Sequence, residues 1–127
     1  MHPIHTYALI PAAGTGSRAG TAQPKQYQAV AGQPMLWHTL AAFACSPSVH
    51  QTLLVLAPDD TWFASMPLPH EAPHPQPWVS HCGGASRAES VCNGLLALQD
   101  RGAQADDWVL VHDAARCLIT PAQIQRL

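Results

Sequence analysis

The segment Pro11-Ala12-Ala13-Gly14-Thr15-Gly16-Ser17-Arg18 directly follows the apolar run Thr6-Tyr7-Ala8-Leu9-Ile10. Glycines at such a place let the backbone approach a bulky anion and turn its N–H groups inward as a phosphate nest. A Gly-rich turn after a strand is also often only a turn, so its neighbours carry the chemical argument. Arg18 and Lys25 come next, with Pro24 stiffening the approach to Lys25, and the first acidic residue of the chain is Asp59. Two cations beside a glycine loop, with no local counter-charge, make sense where a polyphosphate supplies the negative charge. The plain alternative is a pair of solvated surface cations. Asp113, after Trp108-Val109-Leu110-Val111-His112, is the acid best placed to face such a loop. A metal bridging phosphate oxygens needs a hard carboxylate of that kind.

Two familiar phosphate loops can be tested. The P-loop ends in Gly-Lys-Ser/Thr, a triplet missing from this chain. The dinucleotide fingerprint is nearly met by Gly14, Gly16 and Ala19. It needs an acid about 20 positions further on to hold the ribose diol, and Asp59 comes too late. Neither loop explains the segment.

The elements that must position these residues follow from periodicity and punctuation. Thr6 to Ile10 reads as a buried strand ended by Pro11, and residues 11–34 read as a long loop without period, uncommon unless functional. Pro34 suits the first turn of a helix whose inner face carries Met35, Leu36, Leu40 and Phe43. Gln51 to Leu56 is a second strand and Thr61 to Met66 a short helix. Five prolines between Pro67 and Pro77 predict an extended surface connection. Trp78 to His81 predicts a third strand. Ser86-x-x-Glu89 is a capping-box pattern opening a helix through Val91, Leu95 and Leu98. Trp108 to Val111 predicts a fourth, buried strand, and a last helix starts at Pro121. Strands alternating with helices predict an α/β fold with a mostly parallel sheet. Ligands then bind beyond the carboxyl ends of the strands, where the segments after Ile10 and Val111 emerge.

Bulk properties bound the function. The chain has 127 residues, 47% hydrophobic and 11% charged, with six Lys and Arg against eight Asp and Glu, a formal net charge of -2. One domain of ordinary size is implied, and low charge argues against a disordered chain. Without a basic surplus, neither nucleic acid nor a membrane surface is expected as a partner. Cys45, Cys82, Cys92 and Cys117 form no C-x-x-C pair and read as reduced thiols. No signal-like start and no long apolar run is visible, so a cytoplasmic location is expected.

Four blocks together resemble one family. Ile10 to Arg18 with Pro24-Lys25-Gln26-Tyr27, then Gly32-Gln33-Pro34-Met35-Leu36-Trp37-His38-Thr39-Leu40, then Gly83-Gly84-Ala85-Ser86-Arg87-Ala88-Glu89-Ser90-Val91, then Val111-His112-Asp113-Ala114-Ala115-Arg116, resemble the 2-C-methyl-D-erythritol 4-phosphate cytidylyltransferases of isoprenoid-precursor synthesis. The resemblance implies a Rossmann-like three-layer nucleotidyltransferase fold, Mg²⁺ as cofactor, CTP and a sugar-alcohol phosphate as substrates, and a homodimer. It implies a CTP-binding loop at Ala12, Ala13, Gly14 and Gly16, with Gly84 and Ser90 near cytosine and ribose. Arg18 and Lys25 match the cations that hold the triphosphate and stabilise the transition state, Asp113 the carboxylate that positions Mg²⁺, and Arg116 a residue near the acceptor. Ala19 and Cys117 stand where methionine and proline are common in the family, and Ala85 where an acid is frequent. Family members are longer, their second half supplying acceptor-binding residues, a late lysine and a dimer arm. Residues 1–127 are therefore expected to be the nucleotide-binding part of a single domain truncated at its C-terminus.

Three other readings stand beside this one. Ribitol 5-phosphate cytidylyltransferases share the glycine loop, the Pro-Lys-Gln segment and the His-Asp strand end, although Pro-Ala-Ala-Gly and Asp-Ala-Ala-Arg favour the erythritol enzyme. His70, His74, His81 and Cys82 offer zinc-ligand types in no finger spacing. A nucleotide-binding regulatory domain without catalysis is the third. His112 is expected to pack beneath the site rather than act as a base, because an attacking phosphate is already ionised.

Overall fold

The computed structural model describes residues 4–13, 27, 29–30, 32–65 and 76–113. Four strands form one parallel sheet: β1 (Thr6–Ala12), β4 (Gln51–Leu56), β5 (Trp78–Ser80) and β6 (Trp108–Val111), in the order β5-β4-β1-β6. The chain moves outward from β1 to β4 and β5, then returns to place β6 on the other side of β1. The strand order therefore reverses between β1 and β6, the switch point at which such sheets bind ligands. Every residue of β4 except Gln51 is buried, as expected of a strand flanked on both edges and covered on both faces.

Each face is covered by one of the two longer described helices. Ala8, Ile10, Ala12, Leu54 and Leu56 pack with Leu36, Trp37, Leu40 and Phe43 of α1 (Met35–Ala44). Tyr7, Leu9, Leu53 and Val55 pack with Leu98 and Val91 of α3 (Arg87–Asp100). The result is the three-layer α/β arrangement anticipated above. Helix α1 has no side-chain cap at Pro34, which forgoes about 1 kcal/mol. Burying Leu36, Leu40 and Phe43 contributes about 1.5–3 kcal/mol each, so packing rather than capping holds α1 in place. Helix α3 approaches closely because of Gly94: a Cβ there would lie 2.7 Å from Leu9 Cδ1 and 2.9 Å from Val55 Cγ2.

Several boundaries differ from the sequence expectation. Strand β1 runs two residues further, through Pro11. Leu9 O accepts from His112 N, so Leu9 and, two residues on, Pro11 turn their backbone groups toward β6. The missing N–H of Pro11 falls beyond the described β1–β6 pairing, where no donor is required. Residues 11–34 are not all loop: β2 (Ala29–Val30) and β3 (Gln33–Pro34) pair antiparallel, with Gly32 at φ +83° in the turn, a conformation that favours glycine. Pro34 ends β3 and precedes the first helical residue instead of occupying the first turn. On α3 the inward stripe is Ser90, Gly94 and Leu98, and Leu95 is exposed, because close approach at Gly94 turns Leu95 outward. Strand β6 is not buried: Trp108 is 68% exposed, since only one edge of β6 pairs with another strand among the described residues. The short helix is α2 (Trp62–Ser65). Cys45, Cys82 and Cys92 are free thiols, and no described helix is long and apolar enough to cross a membrane. Most of the Pro-rich connection and the helix expected at Pro121 lie outside the described residues.

Candidate functional site

The carboxyl ends of β1 and β4 meet the loop after β5 through very small residues. Gly83 N donates to Leu56 O at 2.9 Å. A Cβ on Gly83 would sit 2.3 Å from Ala13 Cβ and 2.8 Å from Leu56 O. Only glycine permits this approach, and it sets Gly83 and Gly84 beside the residue that follows β1. Ala12 is buried at the strand end and Ala13 half-buried.

The start of α3 is fastened by its own first turn. Ser86 is the N-cap, its Oγ accepting from Glu89 N at 3.1 Å. Glu89 Oε2 accepts from Ala85 N at 3.1 Å, one residue before the cap. The capping box forms with this shift in the return bond, and the Glu89 carboxylate also lies in the first turn, where the helix dipole favours it. Ser90, almost wholly buried, accepts from Gly84 N through Oγ at 3.0 Å. The amides of residues 83, 84 and 85 are thus all engaged within the protein, which pre-shapes the loop. Asn93 Nδ2 adds a bond to Cys82 O at 2.8 Å.

Asp113 follows β6 across the switch point. Its Oδ1 pairs with Arg87 Nε at 2.8 Å, with the side chains 58% (Arg87) and 38% (Asp113) exposed. A pair this exposed adds little to stability; its effect is to orient the carboxylate and tie the start of α3 to the end of β6. His112 donates its backbone N–H to Leu9 O at 3.1 Å and sets its ring 5.5 Å from that of Phe43. A hard divalent cation would find in Asp113 an accessible carboxylate at the switch point, the donor type it requires. Among the described residues no group of three or more His, Cys, Asp or Glu stands together; His81 and Cys82 are among those residues, and His70 and His74 are not.

The family model for 2-C-methyl-D-erythritol 4-phosphate cytidylyltransferase (IspD) matches residues 6–127. The chain belongs to that family. It is 59% identical over 121 residues to a bifunctional enzyme IspD/IspF of Albidiferax ferrireducens, covering 95% of this chain and 28% of that protein. It is 54% identical over 121 residues to the 2-C-methyl-D-erythritol 4-phosphate cytidylyltransferase of Burkholderia multivorans, covering 95% of this chain and 50% of the relative. Among solved structures, a 4-diphosphocytidyl-2C-methyl-D-erythritol synthase superposes with a TM-score of 0.79 at 35% identity, over 100% of this chain and 54% of that one. The Francisella tularensis cytidylyltransferase gives a TM-score of 0.70 at 32% identity, over 95% of this chain and 49% of that one. The fold is the Rossmann-like nucleotidyltransferase fold of these neighbours. The chain spans half or less of the length of these two sequence relatives.

Within this chain the expected site residues divide in two. Ala12, Ala13, Gly84, Ser90 and Asp113 lie at the carboxyl end of the sheet. Gly14, Gly16, Arg18, Lys25 and Arg116 lie outside the described residues. Ser90 reaches the site through the backbone of Gly84 in this structure. Two side chains to which the motif reading gave no place in the site also stand here. Arg87 occupies the first helical position beside the recognised Ser86 cap, so its place at the helix mouth was readable; its pairing with Asp113 was not. Glu89 was readable as a cap, and its hold on Ala85 N follows from the same pattern.

Proposed function

We propose that this chain is the nucleotide-binding part of an enzyme that transfers CMP from CTP to 2-C-methyl-D-erythritol 4-phosphate, releasing pyrophosphate. The observation that carries the reading is the meeting, at one switch point, of the Ala12-Ala13 strand end, the Gly83-Gly84 loop and Asp113, each within a family motif. A phosphate oxygen of the acceptor attacks the α-phosphorus of CTP, the bond to the β-phosphate oxygen breaks, and pyrophosphate carries that electron pair away.

Both reactants are anions, so positioning and charge neutralisation make up most of the catalysis. The small residues of the glycine loop and of Gly83-Gly84 leave room for the nucleotide, with Gly84 and Ser90 toward the cytosine and ribose. Arg18 and Lys25 hold the triphosphate and meet the charge that grows in the transition state. Asp113 would hold Mg²⁺, whose chemistry is to neutralise and polarise phosphate oxygens, and Arg87 keeps that carboxylate aimed. Arg116 is assigned to the acceptor phosphate. Mg²⁺, the homodimer and the cytoplasmic setting are family expectations that this reading carries with it.

Pyrophosphate release from CTP and Mg²⁺ with 2-C-methyl-D-erythritol 4-phosphate, set against ribitol 5-phosphate, tests the reading. Release with the erythritol acceptor is expected. Faster release with ribitol 5-phosphate would transfer the protein to the other acceptor class, and failure of CTP and Mg²⁺ to bind by calorimetry would end the nucleotide reading altogether.

A further inference from the structure

Arg87 is the first residue of α3, and nothing in the helix itself calls for a cation there. The free N–H groups of a first turn make that end of a helix partly positive, so an arginine is mildly unfavourable and an acid such as Glu89 favourable. Ser86 and Glu89 already supply the capping bonds of the turn. What Arg87 does hold is Asp113, 26 residues away in sequence. Its Nε donates to Oδ1 at 2.8 Å, and both side chains stay open to solvent, 58% for Arg87 and 38% for Asp113. The contact joins the mouth of α3 to the end of β6, on the carboxylate whose chemistry suits a hard divalent cation. The bond that aims this carboxylate therefore also fills one of its oxygens with a positive group.

We propose that Arg87 is a placeholder cation for Asp113. It occupies the carboxylate in the empty protein, disfavours a free divalent ion there, and yields when the ion arrives together with the nucleotide polyphosphate. The inference rests on the cytidylyltransferase reading and deepens it, making Arg87 a positioning residue that selects metal–nucleotide over metal alone. For a free dication to take Asp113, the guanidinium must either leave Oδ1 or remain beside a like charge. The first breaks a charge-assisted bond, and the second adds repulsion at short range. A triphosphate brings more negative charge than its ion brings positive, so the same guanidinium then meets an attractive neighbour. Exposure sets the size of the effect: an ion pair open to water is worth no more than about fivefold in affinity. A pair of that strength discriminates and still lets go.

The test separates charge from aim. In Arg87→Gln the amide nitrogen stands as many bonds from Cα as Nε does, so a donor to Oδ1 is kept while the charge is removed. Arg87→Lys keeps the charge, and Asp113→Asn identifies binding at this carboxylate. Mn²⁺ binding is followed by electron paramagnetic resonance on the protein alone and with CTP, beside thermal unfolding. Arg87→Gln should bind free Mn²⁺ about fivefold more tightly than wild type, with Mn²⁺–CTP affinity changed by less than about twofold and Tm by only a few degrees. Arg87→Lys should behave as wild type, and Asp113→Asn should abolish the gain when combined with Arg87→Gln. Unchanged or weaker binding of free Mn²⁺ by Arg87→Gln would overturn the placeholder alone, as would a gain that survives Asp113→Asn or extends equally to Mn²⁺–CTP. A wild-type protein that binds neither CTP nor Mn²⁺–CTP would overturn the cytidylyltransferase reading and the placeholder with it.

Discussion

The two ends of the sheet are both well bonded, and they are built from opposite materials. At the amino end the rings of His5 and His50 stack at 3.8 Å, Tyr7 meets both edge-on, Trp78 lies on Tyr7, and the Arg101 guanidinium sits 5.2 Å over Trp78. Asp107 accepts from His5 N at 2.9 Å and from Gln104 N at 2.7 Å. At the carboxyl end the junction of β1, β4 and the loop after β5 is formed by Ala12, Ala13, Gly83, Gly84, Ala85 and Ser86, none larger than serine. Aromatic rings cluster at one end; at the other, small residues with engaged amides line the junction of β1, β4 and the loop after β5. Substitutions at the amino end should cost stability, and those at the carboxyl end should cost binding and turnover.

The sharpest way to break this comparison is through the cations. Arg18→Ala or Lys25→Ala should lower turnover by about 10³ while Tm stays within a few degrees, measured by pyrophosphate release beside thermal unfolding. An unchanged rate in either would remove its transition-state assignment. Gly83→Ala comes next: its methyl meets Ala13 Cβ and the Leu56 carbonyl, neither of which can swing aside. A loss of about 3 kcal/mol by denaturant unfolding, together with weaker CTP binding, is expected. Retained stability would mean that the two strand ends are not locked together.

Asp107→Ala works at the opposite end. It strips the acceptor from two backbone N–H groups and should cost about 2 kcal/mol with CTP affinity unaltered; a change in affinity would blur the division of labour. The smallest effect is at alkaline pH. Tyr27 and Tyr7 both have phenols raised above the ordinary value of about 10, by burial first and then by Asp60 or Asp107 respectively. Protonated phenol is favoured by folding, so stability is complete below pH 10 and falls above it as the unfolded chain ionises. The decline is at most about 1.4 kcal/mol per pH unit for each group. Tyr27→Phe should flatten it more than Tyr7→Phe, read from denaturant unfolding at pH 9 and pH 11. Equal curves for both variants and wild type would sink the assignment.

Much of the scaffold was legible. The runs Thr6 to Ile10 and Gln51 to Leu56 read as strands because buried parallel strands are continuous apolar runs, and Ser86 announced the start of α3 through its capping chemistry. The β2–β3 hairpin was not legible, since two-residue strands are too short to show a period of two. Leu95 shows the limit of helical periodicity: the pattern allows several inward arcs, and Gly94 selects one by contact with Leu9 and Val55. For the site, the motif blocks named Ala12, Ala13, Gly84, Ser90 and Asp113. Arg87 with Asp113, and Tyr27 with Asp60, lie 26 and 33 residues apart, and no local pattern couples them.

The sequence by itself determined which of the longer segments become strands or helices and which residues could meet a polyphosphate, because propensity, capping and side-chain chemistry are local properties. Tertiary structure alone decided that β6 lies beside β1, that Asp113 answers to Arg87, and that Tyr27 is held by Asp60. Those choices depend on strand order and on the close packing of residues distant in the chain, where many pairings are chemically allowed and only the shared core selects among them.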